Sequence, residues 1–249
     1  MLRAFGDGNL FGEPYGEGPV RVVWLHGWAR CGQDFGAAAR LLEDAGVASI
    51  AFDLPGFGSS PAPKVAGGAR HYARLIVGAL EQLSDAPLVL VGHSFGGRVA
   101  TVIAAEHPEL VATLVLTGVP LLRRTSAKRA PWAYRMVRWL HTRGVINEER
   151  MERARQRYGS FDYRRATGVV RDVLVATVNE GYEAELGRLR VPVVMLWGRD
   201  DQEVPLAVAE RALALVEGAS SLRVLDGVGH LLPTSAPDAL AETVLEVVR

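Results

Sequence analysis

Ser94 stands where a serine could act as a nucleophile. It lies between Gly92 and Gly96, directly after residues 86–91, an apolar run typical of a buried strand. A serine at a sharp turn from a strand into a helix is pushed out of the backbone in strained geometry, and the residues two positions to either side must be small. The pattern predicts a nucleophile elbow. His93, next to the serine, is expected to point away from it and to pack.

A base and an acid are needed to activate this serine. A serine hydroxyl is a weak nucleophile until a base takes its proton, and a histidine base needs an acid that fixes its tautomer and stabilises the imidazolium. His230 follows the strand-like run 222–225 in a glycine-rich loop and is the predicted base. Asp201, after the strand-like run 191–197, is the predicted acid. Asp200 is the alternative, but the spacing from Gly198 favours Asp201.

Acyl transfer also needs two donors for the oxygen of the tetrahedral intermediate, and these are usually backbone N–H groups. The N–H of Phe95, directly after the serine, is the first candidate. The third strand-like run leads into His26-Gly27-Trp28, and we predict the N–H of Trp28 as the second donor. Gly27 is expected to let the backbone bend there. His26 is expected to brace the loop by a hydrogen bond rather than to act as a second base.

Strand-like and helical segments alternate along most of the chain. Predicted strands lie within residues 2–13 and at 20–25, 48–52, 87–91, 110–116, 192–197 and 222–225. Predicted helices lie at 35–45, 71–83, 97–106, 206–216 and 237–248. Helices between strands supply the crossovers of a parallel sheet. The predicted fold is therefore of the α/β class, a mostly parallel twisted sheet flanked by helices, in a single domain over residues 1–249.

Five motifs, in this order, resemble those of the α/β-hydrolase superfamily and of its branch of small serine esterases and C–C hydrolases. They are His26-Gly27-Trp28, Asp53-Leu54-Pro55-Gly56-Phe57-Gly58-Ser59-Ser60, Gly92-His93-Ser94-Phe95-Gly96-Gly97, Gly198-Arg199-Asp200-Asp201 with Pro205, and Gly229-His230. The resemblance covers most of the chain and implies hydrolysis through an acyl-serine intermediate without a cofactor. Because this superfamily carries many chemistries on one scaffold, the substrate does not follow from the fold.

The alternation of strands and helices stops between residues 119 and 189. Amphipathic segments lie there at residues 131–142, 148–158, 163–179 and 182–189. The resemblance implies a helical cap inserted after the sixth strand, at about residues 120–189, that covers the serine. A lid of this kind shapes the acyl pocket and limits water, so specificity is expected to reside in it.

Residues 121–158 carry eleven cationic and three anionic side chains in a chain whose formal net charge is zero. The cations are Arg123, Arg124, Lys128, Arg129, Arg135, Arg138, Arg143, Arg150, Arg153, Arg155 and Arg157. Either they form a solvated helix face, or they attract an anionic substrate or an acidic carrier protein. Trp132, Tyr134 and Trp139 lie among them, and either pack the cap onto the core or wall the acyl pocket. Nucleic acid is not an expected partner, because the whole chain is neutral and the triad is complete.

Composition excludes several other classes of protein. No run of about 18 apolar residues could span a membrane, and residues 1–8 lack the apolar core of a signal peptide. The single cysteine, Cys31, cannot form an internal disulfide, so we expect a cytoplasmic protein. The six histidines show no metal-ligand spacing, and Gly56-Phe57-Gly58 has Pro61 where a dinucleotide fingerprint needs glycine. We therefore expect no metal and no cofactor.

The sequence as a whole predicts a serine hydrolase, with a carboxylesterase as the first choice, that cleaves an ester or thioester of a small acyl substrate. Two alternatives use the same machinery and stay open: a C–C hydrolase of a dienoic ketoacid, and a methyl ester esterase acting on a chain held by an acyl carrier protein. A non-catalytic ligand receptor is a fourth hypothesis. Its hallmark would be a broken triad, whereas every triad position is filled here.

Overall fold

The computed structural model describes residues 1–123, 131–158, 161–178 and 180–248. The strands of the sheet in these residues are β1 (Arg3–Phe5), β2 (Leu10–Tyr15), β3 (Val22–Leu25), β4 (Ser49–Asp53), β5 (Leu88–His93), β6 (Val111–Thr117), β7 (Val193–Gly198) and β8 (Ser220–Leu225). Their order across the sheet is β1-β2-β4-β3-β5-β6-β7-β8. Strand β2 is antiparallel to β1 and β4, and every other pairing is parallel. The predicted mostly parallel sheet is confirmed.

Helices lie in the crossovers and cover the sheet. Those of the described residues are α1 (Gly36–Asp44), α2 (Ala69–Leu83), α3 (Ser94–Glu106), α4 (Trp132–Thr142), α5 (Glu148–Tyr158), α6 (Phe161–Arg165), α7 (Gly168–Val178), α8 (Glu183–Arg188), α9 (Leu206–Leu213), α10 (Leu232–Ser235) and α11 (Pro237–Val247). None of these helices is long and apolar enough to cross a membrane.

Two hydrophobic clusters form the core, one on each face of the sheet. Successive side chains of a strand point to opposite faces, and in β3 Val23 and Leu25 join one cluster while Val22 and Trp24 join the other. The first cluster packs α2, α3 and α9 against the sheet, and the second packs α1 and α11. With both faces covered, the carboxyl ends of the parallel strands are the part of the sheet left for a site.

Three helix predictions differ from the structure by three residues or more. The helix predicted at 206–216 ends three residues earlier, at Leu213. The helix predicted at 97–106 begins three residues earlier, so that Ser94 is the first residue of α3 rather than part of a turn before it. The segment predicted at 163–179 is not one helix but two, α6 and α7. Gly168 adopts a left-handed conformation, with φ of +54°, between them, and Arg171 Nε donates to the carbonyl of Ala166 at 2.8 Å. This turn ends the first helix.

Helices α4 to α8 all lie in the connection between β6 and β7, residues 118–192, called here the β6–β7 connection. Arg98 of α3 ties the start of this connection and helix α7 to the core. Its Nε donates to the carbonyl of Pro120 at 3.1 Å, and its Nη1 donates to the carbonyl of Thr177 at 2.9 Å. Arg70 of α2 adds an ion pair to the buried Glu185 of α8, with 2.6 Å between Nη2 and Oε1.

Candidate active site

Ser94 occupies the sharp turn between β5 and α3. Its φ of +49° lies in the left-handed region that a residue with a Cβ avoids, at a cost of roughly 1–2 kcal/mol. A Cβ on Gly96 would lie 2.1 Å from the carbonyl oxygen of Leu25, and one on Gly92 would lie 2.4 Å from the Cα of Gly97. The prediction that these two positions must be glycine-sized is confirmed.

His230 and Asp201 come together at the ends of β7 and β8. The Nδ1 of His230 lies 2.9 Å from Oδ2 of Asp201, and Oδ1 of Asp201 accepts the N–H groups of Glu203 at 2.9 Å and Val204 at 2.8 Å. Burial alone would raise the pKa of Asp201, but these hydrogen bonds outweigh burial and lower it, so the group is a carboxylate. The rival acid Asp200 is exposed.

Ser94 and His230 line one cavity of about 430 Å³. This volume is within the range of about 300–1,000 Å³ that is usual for small-molecule sites. The other described residues that line it are Gly27, Trp28, Arg30, His93, Asp162, Glu203 and Leu231. The structure thus brings the predicted nucleophile and base to the same cavity as Trp28. Among the described residues, no group of three histidine, cysteine or carboxylate side chains is arranged to hold a metal ion.

His93 is 2% exposed, in agreement with its predicted packing role, and it is also one of the residues that line this cavity. Its Nε2 lies 2.9 Å from the carbonyl oxygen of His230, and the two rings are 4.9 Å apart between centroids. Burial, with a smaller contribution from His230, lowers the pKa of His93 to about 3. The ring is therefore neutral and donates from Nε2. It positions the loop that carries His230.

Gly27 has a different role from the expected one. It does not have a positive φ, whereas Ala29, two residues later, has a φ of +54° and makes the bend. A Cβ on Gly27 would lie 2.8 Å from Nδ1 of His93 and 3.4 Å from Cβ of Ser94. Gly27 is small because the two residues of the elbow approach it closely.

His26 braces the loop after β3, as predicted. It is fully buried, and its Nε2 accepts the N–H of Leu54 at 2.9 Å. The proton must therefore be on Nδ1, which donates to the carbonyl of Gly27 at 2.7 Å. Burial lowers the pKa of His26, which keeps this neutral tautomer in place. A ring with both nitrogens occupied in this way has no free nitrogen to serve as a second base.

The two predicted oxyanion donors belong to segments that pack together. Phe95 is in the first turn of α3, where backbone N–H groups have no acceptor within the helix. The rings of Trp28 and Phe95 are 5.5 Å apart, and Phe57 packs edge-on against Trp28 at 5.0 Å. The N–H of Gly96 donates to the carbonyl of His26 at 2.9 Å, which joins the elbow to the loop after β3.

Three charged residues of the cavity escaped the sequence prediction. Arg30 is held by Asp34, with 2.5 Å from Nε and 2.8 Å from Nη2 to its two oxygens. Oε2 of Glu203 lies 3.5 Å from Nε2 of His230. Arg30 and Glu203 each follow a predicted site residue by two positions, and that proximity was the available signal. Asp162 belongs to the β6–β7 connection and is far in the sequence from every predicted site residue, so no local signal marked it. Only the folded structure brings it to the cavity.

The three aromatic pocket candidates do not border the cavity at Ser94. Trp132 and Trp139 are 72% and 49% exposed, and Tyr134 packs against Tyr158 with 6.0 Å between ring centroids. The guanidinium of Arg143 lies 4.0 Å from the centre of the Trp139 ring. Their prediction as walls of the acyl pocket has no support in the geometry of the described residues.

The basic segment is partly neutralised within itself. Arg155 pairs with Glu148 and, at 3.5 Å, with Glu152, and Arg153 pairs with Glu149 at 3.5 Å. The described residues offer no ion-pair partner to Arg135, Arg138 and Arg150. Arg124, Lys128 and Arg129 lie outside the described residues.

Lowering the pH below about 6.5 is expected to destabilise the protein. In the unfolded chain His26 and His93 take up protons near pH 6.5, whereas in the folded protein burial lowers the pKa of both and keeps them neutral. The unfolded state then binds more protons, so the free energy of unfolding falls by about 1.4 kcal/mol per pH unit for each histidine. For His93 the loss continues down to its folded pKa of about 3. Urea unfolding between pH 7.5 and 5.5 measures the slope.

His26→Gln should reduce this slope, because one of the two protons is no longer taken up on unfolding. The control is His107→Gln, which alters a half-exposed histidine paired with Glu109. Equal slopes in His26→Gln and the unaltered protein would contradict the assignment of a buried neutral ring.

The family model for the alpha/beta hydrolase fold matches residues 20–237, and the chain belongs to this family. It is 30% identical to a pimeloyl-[acyl-carrier protein] methyl ester esterase of Aromatoleum aromaticum, over 92% of this chain and 98% of the relative. It is 28% identical to a 2-hydroxy-6-oxononadienedioate/2-hydroxy-6-oxononatrienedioate hydrolase of Cupriavidus pinatubonensis, over 86% and 82%.

Among solved structures, a thioesterase domain from the curacin biosynthetic pathway has a TM-score of 0.72 with this chain. It is 23% identical over 98% of both chains, and this likeness concerns the fold alone. Together with the family, the comparisons identify the protein as a hydrolase of the alpha/beta fold.

Proposed function

We propose that this protein is a serine hydrolase that cleaves a carboxylic ester through an acyl-serine intermediate. The observation that carries the proposal is the cavity that Ser94 and His230 share, with Ser94 held at a φ of +49° and Nδ1 of His230 2.9 Å from Asp201. Backbone strain of this kind persists only where the surrounding structure imposes it, and it clusters at functional sites. The strained Ser94 shares its cavity with His230, whose side chain is 10% exposed and contacts the buried Asp201, and this arrangement supports the proposal.

In the acylation step, Oγ of Ser94 attacks the ester carbonyl carbon while Nε2 of His230 takes the hydroxyl proton. The carboxylate of Asp201 accepts a hydrogen bond from the Nδ1–H group of His230 throughout, so that Nε2 is the free base, and the negative charge of Asp201 stabilises the imidazolium. The N–H groups of Trp28 and Phe95 donate to the oxyanion, and the positive end of the α3 dipole adds to this field. The imidazolium then protonates the leaving alkoxide, and the alcohol departs.

In the deacylation step, a water molecule replaces the alcohol. His230 takes one proton from this water, the resulting hydroxide attacks the acyl carbon, and the proton passes to Oγ of Ser94 as the carboxylic acid leaves. The β6–β7 connection serves as the lid of this site, because Asp162 of α6 borders the cavity. Arg98 and Arg70 hold its ends on the core.

The charges around the cavity favour an ester over the dienoic ketoacid of the C–C hydrolase alternative. The carboxylates of a ketoacid need cationic partners in the lining of the cavity. The cavity has one guanidinium, that of Arg30, which is already paired with Asp34. Asp162 and Glu203 add two carboxylates to the lining. These carboxylates would repel the carboxylates of a ketoacid, whereas they would not repel a neutral ester.

A second candidate function, hydrolysis of a methyl ester on a chain held by an acidic carrier protein, is favoured by the outer face of α4 and α5. Arg135, Arg138 and Arg150 are cationic and form no ion pair with the described residues. An acidic carrier would meet this basic face while the neutral ester end of its chain enters the cavity. The basic face would thus bind the acidic carrier, and the cavity, lined by carboxylates, would hold only the neutral ester.

Hydrolysis of two esters at rising salt tests both candidates. A neutral short-chain p-nitrophenyl ester is expected to be hydrolysed with a kcat/KM that changes little with salt. A methyl ester bound to an acidic acyl carrier protein is expected to lose kcat/KM as salt shortens the screening length, which is about 10 Å at 0.1 M. Stopped-flow release of p-nitrophenol should show a burst of acyl-enzyme formation.

The variant Arg135→Glu with Arg138→Glu should slow the carrier-bound reaction and spare the neutral one. Arg40→Glu with Arg211→Glu makes the same change of net charge on α1 and α9, outside the connection, and is the matched control. Matching salt profiles for both esters would rule out the carrier, and failure to hydrolyse any ester would rule out the proposed function.

A further inference from the structure

A second cavity, of about 410 Å³, lies on the far side of the loop that follows β4. It is enclosed by the start of the chain, by residues 61–65 and by one face of α2. We call it the α2 cavity and define it by Phe5, Leu10, Lys64, Arg74, Leu75 and Gly78. The residues that line it are all different from those that line the cavity at Ser94. It is a separate site in the described part of the chain.

The interior of the α2 cavity is apolar. Phe5 and Leu10, both 3% exposed, form its floor. Val65 and Leu75 line it at the rim, and they are 64% and 42% exposed. Large aliphatic side chains left in water around a concave apolar surface mark a place where a ligand gains free energy by covering them.

The rim of the α2 cavity is cationic. Lys64 and Arg74 line it together with His71, and no carboxylate lines it among the described residues. Neither Lys64 nor Arg74 forms an ion pair with a described residue. By contrast, Arg30 is paired with Asp34, and Arg70 with Glu185. Two unpaired cations beside an apolar floor suit a ligand with one anionic group and one aliphatic chain.

Gly78 is an exposed residue of α2 that lines this cavity. It lies inside α2, where glycine costs about 1 kcal/mol relative to alanine. Its φ is not positive, and a Cβ added to it would have no atom within 4 Å. The packing of the fold therefore does not require glycine at this position, in contrast to Gly96. A side chain at position 78 would instead occupy the space that a ligand needs.

We propose that the α2 cavity binds an amphiphilic carboxylate, an aliphatic chain that ends in a carboxylate group. The chain lies on Phe5, Leu10 and Leu75, and the carboxylate accepts hydrogen bonds from Lys64 and Arg74. This binding site does not depend on the proposed ester hydrolysis, because no residue of the cavity at Ser94 takes part in it.

Isothermal titration calorimetry of the full chain with octanoate tests this site. The unaltered protein is expected to bind octanoate and to bind octanol, which lacks the carboxylate, more weakly. Arg74→Met should weaken octanoate binding about tenfold, the effect of losing one hydrogen bond to a charged group. Gly78→Leu should abolish it, because the leucine side chain fills the cavity.

Gly187→Leu is the matched control, since Gly187 lies in helix α8 and a Cβ there also has no atom within 4 Å. It should leave octanoate binding unchanged. Thermal unfolding of Gly78→Leu checks that the fold is intact. Its melting temperature should be at least that of the unaltered protein, because leucine is more favourable than glycine inside a helix. Octanoate that fails to bind, that binds Gly78→Leu as well as the unaltered protein, or that binds no better than octanol would overturn the proposal. Binding that survives in Gly78→Leu would locate the ligand elsewhere, including the cavity at Ser94.

Discussion

Ser94→Ala is expected to abolish covalent labelling by a fluorophosphonate and to lower kcat for ester hydrolysis by on the order of 10⁶. Such a reagent adds to the activated hydroxyl, and alanine removes Oγ while keeping the Cβ and the start of α3. The fold should therefore be retained. Intact-mass spectrometry reports the adduct, peptide mapping locates it, and urea unfolding compares the stability of the two proteins.

Ser59→Ala is the control for this experiment, because Ser59 is an exposed serine of the loop after β4, outside the cavity at Ser94. It should keep both labelling and turnover. Labelling that persists in Ser94→Ala would show that another residue is the nucleophile. The simultaneous loss of Ser94, His230 and Asp201 should cost little more than the loss of Ser94 alone, because the three act as a unit.

Asp201→Asn is expected to lower kcat by about 10⁴ while the protein still folds. Oδ1 of the asparagine can still accept the N–H groups of Glu203 and Val204, as Oδ1 of Asp201 does. Its NH₂ group would then face Nδ1 of His230. A donor at that position forces the ring proton onto Nε2, so Nε2 can no longer take the proton of Ser94.

Asp200→Asn makes the same chemical change one residue earlier, and it should be nearly silent. Asp200 is exposed, whereas Asp201 is 4% exposed and in contact with His230. Steady-state kinetics on a neutral ester measure both variants. Equal losses in the two, or the larger loss in Asp200→Asn, would contradict the assignment of the acid.

Strain is concentrated around the proposed active site. Two of the non-glycine residues with positive φ in the described chain, Ser94 and Ala29, lie in the two segments that supply the predicted oxyanion donors. The aromatic packing between Trp28 and Phe95 and the hydrogen bond from Gly96 to His26 hold these segments together. The packed core around these segments offsets the free-energy cost of the strain. It also keeps the hydroxyl of Ser94 and the two N–H groups fixed before the substrate arrives.

The sequence by itself determined the order of strands and helices and the position of the elbow. Hydrophobic periodicity and the glycines at 92 and 96 are local signals, and the space available around an elbow depends on residues next to it in the chain. The predicted strand and helix bounds accordingly lie within three residues of those of the structure, except that the segment predicted at 163–179 is two helices. Asp201 and His230 could be chosen because each follows a strand, and the ends of parallel strands meet at one edge of a sheet.

Only the tertiary structure decided what surrounds these residues. Asp162 lines the cavity, whereas Trp132, Tyr134 and Trp139 do not, although all four belong to the β6–β7 connection. The sequence pattern of an amphipathic helix indicates that one face is buried but not against which element. The close approach of His93 to Gly27 and the pairing of Arg70 with Glu185 likewise depend on distances between segments far apart in the chain, and so do the unpaired cations of the α2 cavity. Such distances follow from packing, which no local pattern encodes.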